Sequence, residues 1–345
     1  MAKKKEKATP KSMLEITRQA ITKKYGEGVI RSLGDHEDLQ IDAISTGCLS
    51  LDSALGVGGF ARGRLYEVYG PNSSGKSTLA LSVCMQAIKR NMNVAYIDAE
   101  HSLSPQLVRN MGDEVGVDVD KIDIIQAFTG DDNLEIAEII MKSGEMGVVV
   151  VDSVSALLPQ AMAEGEIGDN YIGQLARLVS KACSKLTPVV NRTNTLLILI
   201  NQVRIDIGRY GDNKVPTGGA SIPFYATGRI KVDGGEFKSS RIINDDGVVI
   251  GHESKFMVIK NKLAAPWREA KINLIYGQGY DFVAEVVDLS IDFGFISQAG
   301  SWFELNGGER IQGKKTLVDT FRENKDLYNE LRAKVKQTIG LKDDE

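Results

Sequence analysis

Four apolar runs recur between residues 64 and 202: "RLYEVYG", "NVAYIDAE" (93 to 100), "MGVVVVDS" (146 to 153) and "TLLILINQ" (195 to 202). They read as buried strands needing cover on both faces, as strands of parallel sheets do. The stretches between them are helical, the first being "STLALSVCMQAIKR". Strands alternating with helices predict an α/β domain with a mainly parallel sheet. Further on, "GRIKVDGG" and "VVIGHESKFMVIKNKL" predict antiparallel strands, with "DDG" at 245 to 247 as a turn. Residues 280 to 335 predict two strands and the charged helix "KDLYNELRAKVKQTI". At the other end, Met13, Leu14, Ile16, Ile21 and Ile30 lie at roughly helical spacing within residues 11 to 33. That amphipathic helix packs either on its own domain or on a neighbouring subunit.

Composition narrows the class. With 42% hydrophobic and 26% charged residues the chain reads as soluble and globular, so disorder is confined to its ends. The formal net charge of -4 excludes a polycation, and any nucleic-acid binding needs a local basic surface. Cys48, Cys84 and Cys183 are odd in number and widely spaced, which argues against a disulfide framework or a structural zinc and for a reducing compartment. "MAKKKEKATP" is basic, but no apolar segment follows it and no run of about 18 apolar residues occurs, so a cytoplasmic protein without a membrane partner is expected. The lysine run is a solvated tail or touches nucleic acid.

The chemistry sits at strand ends. "GPNSSGKST" places Gly70, Pro71, Asn72, Ser73, Ser74, Gly75, Lys76, Ser77 and Thr78 between an apolar strand and a helix. Backbone N–H groups and a helix N-terminus cradle phosphates there, Lys76 reaches the β and γ phosphates, and the Ser77 hydroxyl binds magnesium. Asp152, closing "VVVVDS", supplies the carboxylate that the metal also needs. Glu100, on the carboxyl edge after "YIDAEH", is placed to activate water; the plainer alternative is a strand-end salt bridge. Asn201 and Gln202 put amides at another strand end, where one can sense a γ-phosphate. Two polar, glycine-rich stretches follow these strands, "AEGEIGDNYIG" (163 to 173) and "VRIDIGRYGDNKVPTGG" (203 to 219). Long loops on such a scaffold are functional or disordered.

The strings "ISTGCLSLD", "GPNSSGKST", "IDAEH", "VVVDSVSAL", "EGEIGD", "NTLLILINQVR", "TGG" and "KNKLAAPW" resemble, in order and spacing, those of bacterial RecA recombinases. The likeness runs from the N-terminal helix to about residue 335. It implies a RecA-type P-loop ATPase core with a mainly parallel central sheet, an N-terminal helix and a small α/β C-terminal module. The divisions it implies are a tail and subunit-docking helix (1–38), a core with DNA-binding loops (39–278), and a module with a short acidic end (279–345). The implied function is a DNA-dependent ATPase that forms filaments on single-stranded DNA and catalyses homologous pairing and strand exchange in recombination and repair. ATP and Mg2+ are the implied cofactors. The implied partners are single-stranded and double-stranded DNA, further copies of the chain in a helical filament, and a LexA-type repressor.

Residue by residue, the resemblance gives Glu100 the attacking water, Gln202 the coupling of the γ-phosphate to the DNA loops, and Lys260 and Lys262 the phosphates of the next subunit. Read without it, the two lysines flank one residue on a strand and share a solvated face. It places Arg177, Ser180 and Arg204 near DNA phosphates, Gly218 and Gly219 where backbone approaches the strand, and Ile172 and Ile207 as wedges between bases. Phe224 matches a residue that transmits the ATP state across the interface, and Tyr276 an aromatic that approaches the base from the neighbour. Several positions depart from the pattern. Ser104 and Leu107 replace an aspartate and a tyrosine that contact adenine, predicting weaker base selectivity. Asn72 replaces a glutamate. Asp206 and Ser184 stand where basic residues are frequent, predicting somewhat weaker, more salt-sensitive filament formation. The departures point to a divergent, phage-like lineage. Two rival readings stay open: a nucleotide-gated DNA-binding scaffold with little strand exchange, and a small-molecule kinase that consumes ATP whether or not DNA is present.

Overall fold

All four valines of residues 148–151 are fully buried, and they divide between two cores. Val148 and Val150 join one cluster, Val149 and Val151 the other, because successive strand side chains point to opposite faces. A strand covered on both sides has no reason to alternate, which is why the sequence shows an unbroken apolar run. The computed structural model describes residues 12–26, 29–30, 41–166, 173–205, 214–235, 240–305, 308 and 310–341.

The chain divides into two units, Met1–Ile41 and Asp42–Glu345. In the first, helix α1 (Met13–Tyr25) opens on a capping box between Ser12 and Glu15 and ends at Gly26, with φ 96°. It is therefore shorter than the 11 to 33 predicted. No residue of α1 is buried, and Met13, Leu14 and Ile16 are all at least half exposed.

The second unit begins with β1 (Ala43–Ile44), α2 (Leu49–Leu55) and β2 (Phe60–Ala61), the two strands pairing with each other. The alternating region follows: β3 (Leu65–Gly70), α3 (Lys76–Lys89), β4 (Asn93–Asp98), α4 (Pro105–Val115), β5 (Ile122–Ile125), α5 (Gly130–Lys142), β6 (Met146–Asp152), α6 (Gln160–Ala163) and α7 (Gln174–Thr193). Next come β7 (Leu196–Ile205), β8 (Lys214–Pro216), α8 (Ser221–Tyr225), β9 (Gly228–Gly234), β10 (Arg241–Ile243), β11 (Val249–Asn261), β12 (Arg268–Ile275) and β13 (Gly279–Tyr280). The large sheet has the order β13-β12-β11-β9-β3-β7-β6-β4-β5. From β9 to β5 all neighbours are parallel; β11, β12 and β13 extend the sheet antiparallel. Helices α3 and α4 cover one face, α5 and α7 the other.

The remaining elements are α9 (Phe282–Asp292), β14 (Ile296–Ala299), β15 (Trp302–Leu305), β16 (Arg310–Gln312), α10 (Lys314–Glu323) and α11 (Lys325–Thr338). Among the described residues three strands and three helices thus stand where the pattern predicted two strands and one helix. They enclose a third core, to which Leu49 of α2 belongs. The Glu285 carboxylate, on α9, fastens the two parts: it accepts from Leu49 N (3.0 Å), Ser50 N (2.9 Å), Ser50 Oγ (2.6 Å) and Cys48 Sγ (2.9 Å) at the start of α2. Among the described residues no helix is long and apolar enough to cross a membrane.

Candidate nucleotide site and adjoining cleft

Strand β3 is buried along its whole length and delivers the chain into the loop that ends at Gly75, the residue before α3. Gly75 has φ 103°, and a Cβ there would stand 2.7 Å from Tyr280 Oη, so glycine is required on both counts. Helix α3 has no side-chain cap, which leaves its first-turn N–H groups to an anion. Ser74 Oγ is buried and has no hydrogen-bond partner among the described residues. A phosphate oxygen supplies the acceptor it lacks, so the loop fits the nucleotide expected from its sequence. Gly70, Pro71 and Thr78 are buried around it, while Asn72 and Ser73 are exposed.

Lys76 is only 7% exposed, and its Nζ donates to Pro71 O at 2.6 Å. Burial pulls its pKa below the usual lysine value, and the charges of Asp152 and Glu100 oppose that shift. Asp152 closes β6, where its Oδ2 accepts from the Tyr96 hydroxyl at 2.5 Å and its carboxylate bonds the Ser77 hydroxyl. Burial raises its pKa against both bonds. A hydroxyl and a carboxylate in contact, beside a phosphate loop, are the oxygen donors that suit Mg2+. Tyr96, buried in mid-strand, thus holds the Asp152 carboxylate, a contact that its apolar neighbours in the sequence gave no sign of.

Glu100 lies two residues beyond β4, on the same edge, and its backbone N–H reaches Asp152 O at 3.3 Å. Its Oε1 accepts from Gln202 Nε2 at 2.7 Å and from the Ser153 hydroxyl. Among the described residues its carboxylate makes these hydrogen bonds rather than the strand-end salt bridge of the plainer expectation. Ser153 Oγ in turn lies 2.7 Å from Ser155 Oγ. The two amides closing "LILINQ" behave differently. Asn201 is fully buried and spends its side chain internally, on Glu67 Oε1 (2.9 Å), Thr217 O (2.8 Å), Thr217 Oγ1 (2.6 Å) and Gln202 N (3.0 Å). Only Gln202 faces Glu100.

Strand β7 continues past Gln202 to Ile205 and pairs antiparallel with β8, Arg204 opposite Val215. The second polar stretch therefore begins and ends as a hairpin arm. Beneath it lies a cleft of about 610 Å³ whose walls include Ser155, Leu157, Met162, Arg204, Thr217 and Gly219. Gly218 and Gly219 both take left-handed backbone, with φ 83° and 79°, a succession that glycine accepts and other residues resist. Arg177 and Ser180 are exposed, three residues apart on α7, with Ser184 four further along. Ile172, Ile207 and Asp206 lie outside the described residues.

The structure does not bring Lys260 and Lys262 to this loop. Ser254 of β11 touches the loop, its Oγ donating to Ser74 O at 3.1 Å, and Lys260 is six residues along the same strand, about 20 Å away at the rise of an extended chain. Lys260 Nζ donates instead to Pro223 O (2.6 Å) and Phe224 O (3.2 Å), and Phe224 is 74% exposed. Burial and the neighbouring charges of Lys262 and Arg229 lower the Lys260 pKa. Strand β11 ends at Asn261, so Lys262 follows the strand rather than lying on it, and its N–H bonds Thr227 O. Tyr276 is half exposed, and its hydroxyl lies 3.2 Å from His252 Nδ1. Ser104 caps α4, accepting from Leu107 N at 3.4 Å, and Leu107 packs against the core.

Comparison with known proteins agrees with this geometry. Residues 12–281 match the RecA N-terminal domain family and residues 284–340 the RecA C-terminal domain family. The chain is 40% identical over 338 residues to Protein RecA of Desulforapulum autotrophicum, covering 98% of this chain and 93% of that protein. It is 42% identical over 328 residues to a Protein RecA of Thermus thermophilus, covering 95% and 94%. Among solved structures, the RadB recombinase superposes with a TM-score of 0.51 at 23% identity, covering 69% of this chain and 98% of that one, a likeness of fold. The chain belongs to the RecA family of recombinase-type ATPases.

Proposed function

We propose that the chain hydrolyses ATP in response to single-stranded DNA, assembles on that DNA as a helical filament of its own copies, and uses the filament for homologous pairing and strand exchange. The observation that carries the reading is the position of Gln202. Its side chain bonds Glu100 at the nucleotide site, and its carbonyl accepts from Thr217 N (3.2 Å) at the wall of the cleft. One residue thus touches both the proposed water-activating group and the proposed DNA site.

In this reading Lys76 exchanges Pro71 O for phosphate oxygens, Ser74 finds its missing partner, and Glu100 takes the proton of the attacking water. Ser77 and Asp152 would hold a magnesium ion, which would neutralise phosphate charge. Arg177, Ser180 and Arg204 meet DNA phosphates, Gly218 and Gly219 let backbone approach the strand, and Ile172 and Ile207 separate bases. The small C-terminal module gathers duplex DNA. A LexA-type repressor as partner rests on family membership alone.

Three observations support a polymer. Lys260 and Lys262 are far from their own phosphate loop and suit that of another copy, as an arginine finger does. Helix α1, taken by itself, carries Met13, Leu14 and Ile16 without a core of its own. The sheet ends at β5, where Ile124, Phe128 and Ile139 are exposed close together in sequence. Negative-stain microscopy with poly(dT) tests the reading: regular filaments with a non-hydrolysable ATP analogue and their loss with ADP are expected, and equal assembly with both contradicts it.

A further inference from the structure

The carbonyls of the phosphate loop are tied back by side chains. Pro71 O accepts from Lys76, Ser74 O from Ser254 Oγ (3.1 Å) and Gly75 O from Tyr280 Oη (2.8 Å). Ser254 and Tyr280 belong to the antiparallel extension of the sheet, far from the loop in sequence. The arrangement has an electrostatic purpose. A loop that presents N–H groups to an anion works only while its carbonyl oxygens are kept away from that anion.

Behind Ser254 sits His252, 1% exposed, with Nε2 3.3 Å from Ser254 Oγ and Nδ1 3.2 Å from the Tyr276 hydroxyl. The directions of these bonds follow from counting protons. Ser254 has one hydroxyl proton and gives it to Ser74 O, so toward His252 it is the acceptor, and Nε2 carries the ring proton. Burial disfavours the charged ring, leaving Nδ1 as an acceptor and Tyr276 as its donor. The chain runs one way: Tyr276 hydroxyl to His252 Nδ1, His252 Nε2 to Ser254 Oγ, Ser254 hydroxyl to Ser74 O.

We infer that His252 and Ser254 are positioning residues of the nucleotide site, through which the half-exposed Tyr276 hydroxyl fixes the orientation of the Ser74 carbonyl. The inference rests on the nucleotide site proposed above. A contact that turns the Tyr276 hydroxyl away removes the first donor and loosens the carbonyl at the far end.

The test is a double-variant cycle on steady-state ATP hydrolysis with saturating single-stranded DNA. Loss of one hydrogen bond in the relay is expected to raise KM for ATP about fivefold in Ser254→Ala and about threefold in Tyr276→Phe, with kcat changed less than about twofold. Ser254→Thr, which keeps the hydroxyl, restores KM, and Tyr276→Phe adds nothing in the Ser254→Ala background. Effects that multiply in the double variant, or a Tyr276→Phe KM equal to wild type, overturn the relay. Tyr276→Phe alters one hydroxyl at a half-exposed position, so its result stands even where Ser254→Ala fails to fold. Binding of a fluorescent ATP analogue to Lys76→Ala separates the two claims: retained affinity overturns the nucleotide site itself, whereas lost affinity with a multiplicative cycle overturns the relay alone.

Discussion

Gln202 Nε2 donates to Glu100 Oε1 at 2.7 Å, so the amide that ends one parallel strand holds the carboxylate that follows another. Ser153 donates to the same oxygen. A carboxylate oxygen that already accepts two hydrogen bonds has less room for one from water until a donor leaves, and a phosphate that draws Gln202 away provides the release. Gln202→Ala is expected to keep ATP affinity within about threefold while the ratio of hydrolysis rates with and without DNA falls toward one. That loss of stimulation corresponds to removing a coupling of about 1–3 kcal/mol or more. Stimulation equal to wild type in the variant contradicts the coupling.

Asn201 has the opposite character, because its amide is structural. Asn201→Ala takes the donor from Glu67 Oε1 and the Thr217 carbonyl and the acceptor from Gln202 N and the Thr217 hydroxyl, around a side chain that is itself fully buried. Each unpaired buried group costs about 1–3 kcal/mol. A thermal melt is expected to show Tm lower by several degrees, with DNA affinity lowered as well, since Thr217 belongs to the cleft. A melt unchanged within a degree removes Asn201 from this role.

Asp52 gives the fold a pH dependence. Its carboxylate accepts from Thr46 N (2.8 Å), Thr46 Oγ1 (2.7 Å) and Ser45 Oγ (2.5 Å), yet burial pushes its pKa up from 3.8 to about 7. A native pKa above the unfolded one means that the folded chain holds the proton more tightly, so this contribution is full below about pH 4 and is lost as pH rises through 7. Asp52→Asn can keep the Thr46 bonds and donate to Ser45. Relative to wild type its Tm is therefore expected to rise between pH 5 and pH 8; a constant difference across that range contradicts the assignment.

The proposed function gives Lys260 and Lys262 to a neighbour's nucleotide. The Lys260→Ala, Lys262→Ala double variant is expected to bind a fluorescent ATP analogue as the wild-type monomer does, while losing DNA-stimulated hydrolysis by about 10³-fold or more, the scale of an arginine finger. Mixing it with Lys76→Ala, itself inactive, is expected to restore part of the rate at interfaces that combine an intact loop with intact lysines. No restoration at any ratio places the lysines elsewhere.

Much of this is legible in the sequence because the relevant signals are local. The apolar runs and the loop at 70 to 78 define the parallel strands and the start of α3, and strand-end polar residues point to Asp152, Glu100 and Gln202. What cannot be read depends on contacts distant in sequence. Ser254 and Tyr280 reach the phosphate loop from about 180 and 205 residues away, and neither is unusual in its own strand. Asn201 and Gln202 look alike as neighbours, and only the alternation of faces separates the buried strut from the residue facing Glu100. The pairing of β7 with β8 reads as a loop because glycine and charged residues are interspersed through 203 to 219, and the pairing depends on backbone hydrogen bonds rather than on apolar pattern.

The most direct measurement is steady-state ATP hydrolysis with and without single-stranded DNA, for wild type and Glu100→Gln. The account predicts strong stimulation of wild type by DNA and a fall of about 10² to 10⁴-fold in the variant, the usual contribution of a general base. Equal wild-type rates with and without DNA, or a Glu100→Gln variant that hydrolyses ATP like wild type, would contradict it.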